Sequence, residues 1–138
     1  MIRAFAPADL PGVQAVWAAC GREPLPADEL AAIRANAPEL LLVAEVEDRI
    51  VGVVVGTTDA RRGWIHRLAV LPAHRRRRLA AALVAELEGR FAGRGLPRVN
   101  LLVMPENEAG LRFWARLGYL TCPDVLCTKP LPLPHGRA

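Results

Sequence analysis

The chain has 138 residues, a formal net charge of +4 at pH 7, 52% hydrophobic and 23% charged residues. That length suits one domain with its own core, and the composition excludes an intrinsically disordered chain. No apolar run approaches the ~18 residues of a membrane span, no signal-peptide core opens the chain, and Cys20, Cys122 and Cys127 make neither a CxxC pair nor a zinc pattern; the expectation is a cytoplasmic protein without a metal.

In chain order, Ile2 to Phe5 reads as a short strand, and Pro7-Ala8-Asp9 opens a helix with an acid in its first turn. Val13, Val16 and Trp17 recur at helical spacing, and Gly21 stops that helix. After a Pro24–Pro26 loop, residues 27–36 form a short helix that ends before Pro38. Leu40–Val46 and Ile50–Thr57 are strands around a Glu47-Asp48-Arg49 turn. The second is apolar almost throughout, as a central strand covered on both faces would be. Gly63–Leu71 follows, and strict alternation puts Trp64, His66, Leu68 and Val70 on one face and Ile65, Arg67, Ala69 and Leu71 on the other.

Pro72 ends that strand, and a helix runs from about Arg75 to Ala92. Its stripe is Leu79, Leu83, Leu87 and Phe91, with Ala80 and Val84 beside them; Gly93 and Gly95 close it. Val99–Met104 is another strand, and Asn107 caps a helix carrying Phe113, Trp114 and Leu117 that stops at Gly118. Tyr119–Thr121 and Val125–Lys129 read as final strands, and Pro130–Ala138 as a frayed end. The fold class is α/β with a mixed sheet: a βαβ unit supplies a parallel pair, the tight links among earlier strands require antiparallel pairing, and helices cover both faces.

The junction from Leu68 to Ala80 carries the strongest functional signal. Here a strand runs directly into a helix whose first amides lack internal partners and carry the positive end of the dipole, a ready anion site. Seventeen of the eighteen basic residues are Arg, and four stand together at Arg75, Arg76, Arg77 and Arg78. Like charges at a helix N-terminus are unfavourable by themselves, so a bound polyanion would offset their cost. A phosphate-bearing cofactor and a nucleic acid both satisfy this reading. No aromatic residues interleave with the arginines as a base-stacking platform requires, which argues against nucleic acid.

This stretch resembles the acetyl-CoA signature of the GNAT superfamily, a strand ending in Val-x-Pro followed by Arg/Gln-x-x-Gly-x-Gly/Ala. Arg75, Arg78 and Ala80 stand at the three marked positions, with Arg78 in place of the usual Gly. Asn107-x-Ala109 and Phe113-Trp114-Ala115-Arg116-Leu117-Gly118-Tyr119 resemble the second family signature. Leu42–Val46, Gly118-Tyr119 and Asp124-Val125-Leu126 are similar to short bacterial stand-alone members. The resemblance implies one GNAT acyl-CoA N-acyltransferase domain over residues 1–130, a flexible tail over 131–138, and transfer of an acetyl group from acetyl-CoA to a primary amine by direct attack. It implies that Leu68, Ala69 and Val70 pair with the pantetheine arm, that the amides from Arg75 through Arg76, Arg77, Arg78 and Leu79 to Ala80 take the pyrophosphate, and that Asn107 reaches the cofactor.

Trp114 stands where the family commonly has a Tyr that serves the leaving thiolate, and an indole N–H is no useful acid. Trp114 therefore shapes the thiol pocket, another group supplies the proton, or the domain binds acetyl-CoA without turnover. For the base, His66 on the cleft strand and Glu45 late in an earlier strand are the candidates. His74 is expected to face solvent or a phosphate, and His135 lies in the tail. The amine acceptor is not legible, and monomer and homodimer both remain open.

Overall fold

The protein is described by a computed structural model that covers residues 1–134, with Arg76 and Arg77 described for the backbone alone. It divides into two compact units at Met104/Pro105. The first carries five strands in the order β1-β2-β3-β4-β5: β1 Ile2–Ala4, β2 Leu41–Val46, β3 Arg49–Thr58, β4 Gly63–Val70 and β5 Val99–Leu101. The first four pair antiparallel, and β4 with β5 parallel. The long helix α3, Leu79–Gly93, makes the crossover. The expected mixed sheet is therefore the observed one.

Two helices precede β2: α1, Leu10–Ala19, and α2, Ala27–Asn36. Gly21 at φ +74° ends α1, where Arg22 N–H returns to the Trp17 carbonyl and Gly21 N–H to that of Ala18; only a residue free to turn left-handed closes a helix this way. Leu83, Val84, Leu87 and Phe91 of α3 are buried, and three glycines of β3 and β4 let the helix lie close. Added Cβ atoms at Gly52, Gly56 and Gly63 would stand 3.1, 2.6 and 2.7 Å from Leu83, Leu87 and Phe91. On the other face, Val13, Val16 and Trp17 of α1 are buried, and α1 packs on β3 and β4. Val51, Val53 and Val55 between the layers are at most 1% exposed, as the continuous apolar run of β3 requires.

Three local expectations need correction. The α-helix begins at Leu79 rather than Arg75: Pro72–Arg77 form a 3-10 segment, and Arg78 follows in the left-handed conformation. The turn between β2 and β3 is two residues, Glu47 and Asp48, both at positive φ, so Arg49 already belongs to β3. Strand β5 stops at Leu101, three residues early.

Among the described residues, the second unit holds one helix, α4, Glu108–Arg116. Asn107 caps it, Oδ1 accepting from Gly110 N–H at 3.0 Å, and Gly118 at φ +93° ends it. The strands expected at Tyr119–Thr121 and Val125–Lys129 are absent. Leu120 and Val125 are 85% and 82% exposed; β propensity makes no strand without a ladder partner and a face to bury. The last four residues, 135–138, with His135 and half of the expected tail, lie outside the described part.

Candidate functional site

Strand β4 departs from even alternation. Val53 faces Ala69 and Val55 faces His66, so two steps along β3 span three along β4. The extra residue is a β-bulge at Arg67, whose φ is +53°. It shifts the faces: His66 lies on the same side as Trp64 and Ala69, and not with Val70 as uniform alternation gives. The parallel ladder to β5 covers only Gly63–Ile65 against Val99–Leu101. Beyond it the ladder ends, and among the described residues the last residues of β4 have no strand partner on that side.

Main-chain groups line this gap. Leu71 N–H donates to Val51 C=O at 2.8 Å, toward β3, so by strand alternation Leu68 and Val70 turn their groups to the β5 side. The Val70 carbonyl accepts from Arg75 Nε at 3.2 Å and from Cys20 Sγ at 3.4 Å. Arg75 thus ties the turn to the end of the strand, while Ala69 faces Val53.

The gap leads to the start of α3. Arg78, at φ +58° and ψ +23°, precedes a first turn with no side-chain cap and no acid. The amides of Leu79 and Ala80 therefore open that turn with the dipole behind them. Arg75 and Arg78 are both exposed beside it. Among the described residues, five non-glycine residues have positive φ: Glu47, Asp48 and Ala60 lie in hairpin turns, whereas Arg67 and Arg78 bracket the gap. A non-glycine left-handed residue costs about 1–3 kcal/mol and is characteristic of functional sites.

His66, one residue before the bulge, is solvent-accessible, and its Nε2 lies 2.9 Å from Thr57 Oγ1. Partial burial lowers the imidazole pKa, so the ring is neutral at pH 7. A polar cleft of about 460 Å³ opens beside Thr57, with Asp59 and Arg94 in its wall.

Glu45 stands apart from this group. It pairs with Ile50, about five residues along β3 from the partner of His66 and one strand further out. Arg3 Nε donates to Glu45 Oε1 at 3.1 Å, and the same guanidinium grips Asp9 at 2.7 and 2.9 Å. The Arg3 hydrogen bond holds Asp9 below the usual carboxylate range. The sequence carries no signal for the Arg3–Glu45 contact, since the two residues lie 42 positions apart and meet only through the pairing of β1 with β2.

In the second unit, Asn107 spends its side-chain oxygen on the cap of α4. Trp114 packs edge-on against Phe113 and Tyr119, with ring centroids 5.0 and 5.3 Å away.

The family model described as "Acetyltransferase (GNAT) family" matches residues 10–119. A Yersinia pestis (strain Pestoides F) protein named "Acetyltransferase" is 40% identical over 94 residues, 68% of this chain and 67% of the relative. Among solved structures, Ard1 from Thermoplasma volcanium superposes with a TM-score of 0.81 at 24% identity, covering 87% of this chain and 82% of the other. An aminoglycoside N-acetyltransferase in complex with CoA gives 0.74 at 16% identity, over 96% and 100%. At these identities the structural likeness concerns the fold alone.

Proposed function

The chain belongs to the GNAT acetyltransferase family, and from that premise we propose that the gap between β4 and β5 receives acetyl-CoA and that a primary amine is acetylated beside His66. The observation that carries this reading is the coincidence of three features along β4 and the turn that follows it. The parallel ladder ends at Ile65, the bulge at Arg67 interrupts the regular pairing of β4, and at Arg78, shortly after the strand, the chain reaches a 3-10 to α junction with an uncapped helix start. A pantetheine arm fits a strand edge that offers Leu68 and Val70 groups, and a pyrophosphate fits the amides of Leu79 and Ala80 with the exposed arginines around them.

Acetyl-CoA supplies an activated thioester, and the protein supplies placement and proton handling. The amides of Leu68 and Val70 fix the arm along β4, which sets the reacting end near the bulge. His66 is neutral at pH 7, its Nε2 held by Thr57, and so accepts a proton from the incoming ammonium directly or through one water. Glu45, engaged by Arg3, is left out of this step. Trp114 offers no ionisable proton, and the leaving thiolate takes its proton from solvent.

The test is release of free CoA thiol from acetyl-CoA with a panel of primary amines. His66→Gln, which keeps a hydrogen-bonding side chain, is expected to lower kcat by about 10²-fold with little change in acetyl-CoA binding. Full activity in the variant would remove His66 from the mechanism. Binding of acetyl-CoA without transfer to any amine would favour a silent member of the family. Salt-sensitive DNA or RNA binding that acetyl-CoA does not compete away would favour the nucleic-acid reading.

A further inference from the structure

Arg67, at the bulge, is the cation nearest in sequence to the proposed base. Trp17 holds it at both ends: the indole N–H donates to the Arg67 carbonyl at 3.0 Å, and the guanidinium lies 4.2 Å from the centroid of the same ring. Nη2 donates to the Glu23 carbonyl in the loop after α1. Neither partner carries a negative charge. The Nε atom is buried and has no hydrogen-bond partner. Arg3, Arg90 and Arg94 each pair with a carboxylate, whereas no ion pair reaches Arg67 among the described residues. Desolvation, and after it the like charge of Arg22, lower the guanidinium pKa, and the opposing attraction of Glu29 does not offset them.

A fixed, partly buried guanidinium without a counter-charge is costly to keep. Its clamping by Trp17 reduces the side-chain entropy that binding otherwise loses, and with Nε buried and one Nη2 N–H given to the Glu23 carbonyl, the end of the guanidinium formed by Nη1 and Nη2 is the edge left for a planar anion. It stands one residue from His66, on the strand that the proposed acyl-CoA would follow. We propose that Arg67 receives the carboxylate of the acceptor, so that the acceptor is an amine that also carries a carboxylate a few bonds away. This rests on the acyl-CoA reading of the gap and names the substrate class for it. A carboxylate on the acyl group of the donor is the other source of the same chemistry.

The experiment is calorimetric titration of the protein, saturated with CoA, with matched pairs: 4-aminobutyrate against n-butylamine, and glycylglycine against glycylglycinamide. The carboxylate-bearing member is expected to bind about tenfold tighter or better, with the preference lost in Arg67→Gln and partly restored in Arg67→Lys, which keeps the charge without the fork. In parallel, succinyl-CoA and acetyl-CoA are compared as ligands of the wild-type protein. Equal binding within both pairs overturns the inference for the unaltered protein, whatever the variants do. A preference that survives Arg67→Gln also overturns it, as does an Arg67-dependent preference for succinyl-CoA, which assigns the residue to the donor. CoA binding without discrimination defeats only this inference; no CoA binding defeats the underlying reading as well.

Discussion

At Arg78 the left-handed backbone gives a physical reason why glycine suits this position: the chain must turn left-handed to pass from the 3-10 segment into α3. An L-residue there costs about 1–2 kcal/mol relative to glycine, and glycine returns part of that through its freer unfolded state. Arg78→Gly is therefore expected to stabilise the protein by about 1 kcal/mol in urea unfolding; a loss of stability would show that the arginine side chain outweighs the backbone cost. His66 makes a second prediction. Its pKa is depressed on folding, so between that value and about 6.5 the unfolded chain binds more protons. The associated stability is intact above about pH 6.5 and falls away as pH drops through this window. Thermal melts from pH 8 to pH 5 should show a fall in Tm that is shallower in His66→Gln, and identical slopes would contradict the assignment. Both residues were visible in the sequence as candidates. The face of His66 was not, because period-2 reasoning assumes even alternation and nothing in Arg67-Leu68 announces a bulge.

Among the elements, β3 and α3 were legible because their patterns are long: an apolar run, and a stripe from Leu83 through Leu87 to Phe91. Their closeness depends on side chains that are missing. At Gly56 a Cβ would meet Leu87 Cδ1 at 2.6 Å and the Leu40 carbonyl at 2.8 Å. The second contact is backbone, so the clash is not relieved by a rotamer change. Gly56→Ala is expected to destabilise by about 1–3 kcal/mol, read as a lower urea midpoint with unchanged slope; an unchanged midpoint would mean that α3 packs less closely. Two features escaped sequence reasoning for the same reason. The left-handed step at Arg78 hides inside an arginine run with good helix propensity, and the apolar residues after Tyr119 look like strands. Strand and helix identity there depends on a partner or a junction, which local propensity does not carry.

For the molecule, the arginine-rich composition and the family motifs gave the reading of an acyl-CoA enzyme, and the features that support it lie along β4 and the junction into α3. The proposed acceptor contact was not legible because it is assembled across the chain: Trp17, Glu23 and Arg67 meet only after α1 packs on β4. On the proposed reading, acetyl-CoA occupies the gap and the start of α3. The most direct measurement is thermal unfolding with and without acetyl-CoA for the wild type, Arg78→Gly and Arg78→Glu. At 100 times Kd a bound ligand adds about 2.7 kcal/mol, a rise of several degrees for a domain of this size. That rise is expected for the wild type and Arg78→Gly, with its loss in Arg78→Glu, where an added carboxylate would face the phosphates. No rise at millimolar acetyl-CoA in the wild type, or an equal rise in Arg78→Glu, would contradict that reading.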